Sequence, residues 1–159
     1  MGAIASGGTR VLNKGIVTGL HIPAQVIDAV AEAEKRELAR RELAYRDGAT
    51  AADLENKTVI LIDDGLATGA TMKAAVLAIK EHRPRKVIIA VPVSAPETCK
   101  EMEADVDTII CAETPQPFFG VGMWYRDFQQ TTDEEVRRLL KANHEKFSTQ
   151  AEDIQRGGV

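Results

Sequence analysis

The sequence predicts an α/β domain in which a parallel sheet carries helices on both faces. Three apolar, β-branched runs, TVILIDD (Thr58 to Asp64), KVIIAVPV (Lys86 to Val93) and DTIICAE (Asp107 to Glu113), read as strands. Each is apolar at consecutive positions instead of alternating, the pattern of a strand buried on both faces between helical layers. Helical patterns separate them. Met72, Ala75, Val76 and Ile79 follow the i, i+3, i+4, i+7 template and end near Pro84, and Pro96 suits the first turn of a short helix through Met102. Such βαβ alternation implies right-handed crossovers in one open sheet.

Upstream, Ile22 to Arg46 reads as a helix, with Glu32/Arg36, Glu37/Arg41 and Glu42/Arg46 all at i, i+4 spacing. Its far half, EKRELARRELAYRDG, is mostly charged and leaves two readings open: a solvated helix face, or a mobile cationic flap over a ligand. Downstream, TPQPFFGVGMWYRDF (Thr114 to Phe128) concentrates most of the aromatics. Asp133 to Phe147 reads as a closing helix capped by Thr132, and 148–159 as a flexible polar tail.

A chain of 159 residues removes about 70% of its surface from water on folding, enough for one domain with its own core. The formal charge of -4 argues against a nucleic-acid or membrane-surface partner, either of which is itself negative, while a small anion held by local groups remains compatible. Cys99 and Cys111 lack C-x-x-C spacing and sit among apolar residues, which predicts reduced core thiols and no zinc site. No apolar run approaches the ~20 residues of a membrane span, and MGAIASGG lacks a basic flank and apolar h-region, so the expected location is cytoplasmic. His21, His82 and His144 read as surface groups, and Lys57 and Lys73 as solvated charges.

One junction stands out chemically. The run VILI (Val59 to Ile62) ends in two adjacent carboxylates, Asp63 and Asp64, and then in the loop GLATGAT, Gly65 to Thr71. Ligands of open α/β sheets lie beyond the carboxyl ends of the strands, which is where both aspartates fall. The small residues Gly65, Ala67, Gly69 and Ala70 let backbone N–H groups close around an anion; Thr68 and Thr71 add hydroxyls, and the following helix adds its positive end. Paired carboxylates beside that cradle would repel a bare phosphate but accept hydrogen bonds from a diol. A ribose 5-phosphate satisfies both halves.

The run VILIDDGLATGAT (Val59 to Thr71) resembles the 5-phosphoribosyl-1-pyrophosphate (PRPP) motif of the type I phosphoribosyltransferases. It is neither a Walker A loop, having no G-K-[ST], nor a dinucleotide site, having no G-x-G-x-x-G. The resemblance extends from about Gly2 to Phe128 and implies a phosphoribosyltransferase-like domain over 1–147 with a small C-terminal hood at 114–128. It implies Asp63 and Asp64 as the catalytic carboxylates, with Gly65, Leu66, Ala67, Thr68, Gly69, Ala70 and Thr71 around the 5′-phosphate. A flap at Ala33 to Asp47 would bring Arg36, Arg40, Arg41 and Arg46 to the pyrophosphate. In the hood, Phe119 would stack on the base, with Trp124 second; the other reading of both is core packing.

The implied activity is transfer of the phosphoribosyl group from PRPP to a nitrogen nucleophile, a nucleobase or similar acceptor, in nucleotide metabolism. Mg²⁺ would enter with PRPP, and a homodimer is the implied assembly. Two alternatives are a PRPP- or nucleotide-sensing module without turnover and a hydrolase of phosphoribosyl compounds. Two departures limit the likeness. Members carry a strand and a pyrophosphate-binding loop before the position of Met1, so the chain reads as beginning after them. Ala67 stands where 6-oxopurine enzymes have an aspartate, which places the loop nearer the adenine and orotate types.

Overall fold

The computed structural model describes residues 2–46 and 52–156. A three-stranded parallel sheet flanked by helices confirms the α/β class. Strands β3 (Thr58–Ile62), β4 (Lys86–Val93) and β5 (Thr108–Glu113) lie in the order β3-β4-β5, with Leu61 opposite Ile89 and Ile89 opposite Ile109. Ahead of them, β1 (Gly2–Ile4) and β2 (Arg10–Leu12) form an antiparallel hairpin that the sequence did not announce.

The helices follow from local signals. The Asn13 side chain accepts from the Ile16 amide at 3.0 Å and starts α1 (Lys14–Gly19). Helix α2 runs over Ala24–Arg46, two residues inside the predicted start. Helix α3 (Ala70–Lys80) turns Met72, Ala74 and Val76 inward, and α4 (Pro96–Met102) starts on its proline as predicted. Thr132 caps α5 (Asp133–Arg156), its hydroxyl accepting from the Glu135 amide at 3.2 Å; the helix continues beyond the predicted end at Phe147.

The core forms where α3 and α4 cover one face of the sheet: Leu66, Met72, Val76, Val87, Ile89, Val91 and Met102 are all buried. Each such side chain contributes about 1.5–3 kcal/mol through burial. The opposite face differs from the expected burial on both sides. Ile60, Ile62 and Ile110 remain 56%, 77% and 55% exposed, because side chains alternate across a strand and these three lie on the face away from the buried cluster that Leu61, Ile109 and Cys111 join.

The cysteines also correct the sequence reading. Cys99 on α4 and Cys111 on β5 form a disulfide. Packing of α4 against β5 brings their Cα atoms to 6.6 Å, within bridging range; spacing along the chain cannot reveal this.

The chain divides into two compact units. One is Met1–Leu38 with Ala52–Phe128, holding the sheet; the other is Ala39–Ala51 with Gln129–Val159. Within the second, Asp133 accepts from Arg40 at 2.7 Å and from the Tyr45 hydroxyl at 2.6 Å. Among the described residues no helix is long and apolar enough to cross a membrane.

Candidate active site

Strand β3 delivers the chain to Asp63 and Asp64 at its carboxyl end. The Asp63 carboxylate accepts from the Asp64 amide at 2.9 Å. Burial pushes the Asp63 pKa up, because water is withdrawn from the charged form; the Asp64 amide bond opposes the shift and the adjacent Asp64 charge adds to it. Asp63 is half-buried while Asp64 is exposed at the rim.

After the aspartates the loop is tied down from beneath. Leu66 is buried, its amide donates to the Val93 carbonyl at 3.0 Å, and its carbonyl accepts from the Ala95 amide at 2.9 Å. Leu66 therefore offers an anion neither side chain nor N–H, which narrows the cradle drawn from sequence. Its place is structural: it extends the β3–β4 pairing through a bridge to Ser94. The Thr98 hydroxyl donates to the Ala67 carbonyl at 2.6 Å.

Gly69 then reverses the chain at φ 66°, a left-handed conformation in which only glycine is unstrained, and begins α3. A Cβ there would lie 2.9 Å from Thr98 Cγ2. No side chain caps this helix and no acidic residue occupies its first turn. The leading amides and the positive end of the helix thus face the cavity, with Thr68 and Thr71 exposed beside them. The cavity has a volume of about 340 Å³ and is lined by residues 63–72 and Val121.

Both aspartates and the loop residues predicted from sequence therefore border one cavity. The hood residues divide. Phe119 is 77% and Trp124 49% exposed, so neither packs in the core, and neither is among the cavity-lining residues. Val121 is the hood residue that lines it: its methyl groups sit where a Cβ on Gly65 would meet them at 2.8 and 2.9 Å. Tyr125 donates its hydroxyl to the Asp64 carbonyl at 2.6 Å. Sequence reasoning missed Val121, Tyr125 and Thr98; an aromatic-rich stretch signalled the first two only as a group.

The expected flap is helical through Arg46, and Asp47 lies outside the described residues. Arg40 is ion-paired with Asp133, and Arg46 reaches Glu42 at 3.9 Å. Glu32 pairs with Lys35 at 2.6 Å, and the Arg36 charge acts on it more weakly. Lys73 meets Asp105 at 3.3 Å, and His21 and His82 are exposed. Among the described residues no three His, Cys, Asp or Glu side chains converge on a metal position.

Comparison with known proteins supplies a separate line of observation. The family described as phosphoribosyl transferase domain matches residues 3–126. Two Mycobacterium tuberculosis proteins, from different strains and provisionally named phosphoribosyl transferases, are each 40% identical over 147 residues, 92% of this chain. The chain spans only 33% of their length. The crystal structure of TT1426 from Thermus thermophilus superposes with a TM-score of 0.67 at 34% identity, covering 87% of this chain and 65% of that one.

Proposed function

The chain belongs to the phosphoribosyl transferase domain family, and from that premise we propose that it binds PRPP and transfers its phosphoribosyl group to a ring nitrogen of a nucleobase-like acceptor. The observation that carries the proposal is the junction itself: two carboxylates at a strand end, sharing one cavity with an uncapped helix N-terminus. Asp63 and Asp64 accept hydrogen bonds from the ribose diol. Residues Ala67 to Thr71 hold the 5′-phosphate through amides and hydroxyls.

Held at both ends, the ribose presents C1 to the acceptor in a fixed orientation. The bond from C1 to the pyrophosphate oxygen breaks with its electron pair leaving on oxygen. The nitrogen lone pair forms the new bond to C1, and the proton on that nitrogen passes to solvent. The centre between is oxocarbenium-like, as in glycoside hydrolysis, and needs no side-chain nucleophile. Mg²⁺ would enter with PRPP, and Asp63 and Asp64, the two carboxylates bordering the cavity, would supply the anionic partners such an ion takes. When bound, it would neutralise charge growing on the departing pyrophosphate. Ala67 offers only a methyl group, so the loop supplies no carboxylate at that position to a proton of the acceptor ring.

Pyrophosphate release from PRPP and Mg²⁺, measured against a panel of purines, pyrimidines and orotate, tests the reading. Release that depends on one acceptor class is expected. PRPP binding without release for any acceptor would favour the sensing module, and failure to bind either PRPP or ribose 5-phosphate would refute the site.

A further inference from the structure

We propose that Tyr125 is a positioning residue that fixes the carboxylate pair through the peptide backbone and so ties the hood to the sugar end of the site. The inference rests on the proposed ribose-phosphate reading. The Asp64 amide donates to the Asp63 carboxylate at 2.9 Å, and the Asp64 carbonyl accepts from the Tyr125 hydroxyl at 2.6 Å. Both backbone polar groups of Asp64 are thereby held, one of them by a residue 61 positions away.

The peptide bond after Asp64 leads into Gly65, the residue least able to hold a peptide plane in place by itself. Val121 fills the space above Gly65 but supplies no directional bond. The Tyr125 hydroxyl is the group that donates to the Asp64 carbonyl, and by holding that carbonyl it steadies the backbone from which the Asp64 side chain leaves the strand end. Tyr125 is itself seated. Its ring stands 5.2 Å from that of Phe128, its amide donates to the Gly122 carbonyl at 3.3 Å, and Phe128 packs against Gly122 so closely that a Cβ there would lie 2.8 Å away. The turn from Val121 to Phe128 is thus a small aromatic clasp whose hydroxyl reaches the backbone carbonyl of Asp64.

Tyr125→Phe keeps the ring and removes only the hydroxyl. Calorimetric titration of wild type, Tyr125→Phe, Asp64→Asn and the double variant with ribose 5-phosphate, and separately with inorganic phosphate, tests the assignment. Tyr125→Phe should weaken ribose 5-phosphate about fivefold in the wild-type background and less than twofold in Asp64→Asn. Its phosphate affinity should stay unchanged, because the cradle at Ala67 to Thr71 does not depend on the Asp64 carboxylate. A merely structural tyrosine would lower both affinities together. An unchanged ribose 5-phosphate affinity in Tyr125→Phe, or an equal loss in the Asp64→Asn background, would overturn the inference alone. Wild-type protein that binds phosphate but not the sugar phosphate would overturn the diol reading, and the positioning role with it.

Discussion

Substituting Gly69 by alanine isolates the two physical demands that shape the loop from Gly65 to Thr71. The first is conformational: at φ 66° a residue with a Cβ is strained by about 1–2 kcal/mol. The second is steric. The new Cβ would lie 2.9 Å from Thr98 Cγ2, so Thr98 must move, and its bond to the Ala67 carbonyl is lost or lengthened at a cost of about 1 kcal/mol. Together these predict a destabilisation of roughly 2–3 kcal/mol, a fall in Tm on the order of 5–10 °C for a chain of this size. Thr98→Ser deletes the offending methyl group and retains the hydroxyl. The double variant Gly69→Ala/Thr98→Ser should therefore recover the steric part and stay about 1–2 kcal/mol below wild type, the conformational part alone. Urea denaturation with a common slope measures all three. A Gly69→Ala cost under about 0.5 kcal/mol would contradict the strain argument, and a double variant no better than the single one would show that Thr98 is not what the Cβ meets.

Asp63→Asn together with Asp64→Asn should weaken ribose 5-phosphate at least tenfold in calorimetry, since each lost charge-assisted bond is worth about 1.5–3 kcal/mol; the single variant Asp63→Asn should be no less stable than wild type at neutral pH. Reducing the Cys99–Cys111 bridge, which closes a sequence separation of 12, should lower the denaturation midpoint by the equivalent of about 3 kcal/mol; an unchanged midpoint would sink this. Asp133 is held below the ordinary carboxylate range by the Arg40 hydrogen bond first and the Tyr45 hydroxyl second, so in an NMR titration Arg40→Gln should raise its pKa more than Tyr45→Phe does. A depressed native pKa stabilises above the unfolded value and is lost as pH falls through the native one, so the contribution of this pair should disappear on the acid side only. If residues 33–46 act as a flap, their amides should gain protection from exchange when PRPP and Mg²⁺ are added, whereas equal protection in both states would leave a plain solvated helix.

Most of the architecture was legible because it rests on local signals. Consecutive β-branched residues marked β3, β4 and β5, Pro96 and Thr132 marked two helix starts, and a run of small residues after two carboxylates marked the loop. What could not be read depends on contacts between distant segments. Thr98 lies 31 residues from Ala67 and Tyr125 lies 61 from Asp64; neither carries a pattern that names its partner. The burial of Leu66 is hidden in the sequence for a different reason. A loop motif treats all its positions alike, yet a single large apolar residue among glycines, alanines and threonines is the one that water disfavours, and it is buried. The apolar runs overstated burial in the same way: composition registers that Ile60 and Ile62 avoid water, not that a neighbour covers them.

The site is rigid below and open above, and the cost of that arrangement falls on Asp63. Three hydrogen bonds, Leu66 to Val93, Ala95 to Leu66 and Thr98 to Ala67, bind the underside of the loop to β4 and α4. They hold the cradle in place before any ligand arrives, so less of the binding energy is spent on ordering it. Asp63, at the strand end feeding the loop, is half-buried, and burial raises its pKa. A carboxyl group whose native pKa is raised favours the fold most below its unfolded pKa, and that advantage is lost as pH rises through the native value. The fold therefore disfavours the ionised form of Asp63. Donors that reach the ionised form relieve it, and the hydroxyls of a ribose are such donors: a bound diol stabilises the carboxylate over the acid and draws the pKa back down. In the proposed complex the frame beneath the loop would hold this poorly solvated carboxylate where those hydroxyls reach it.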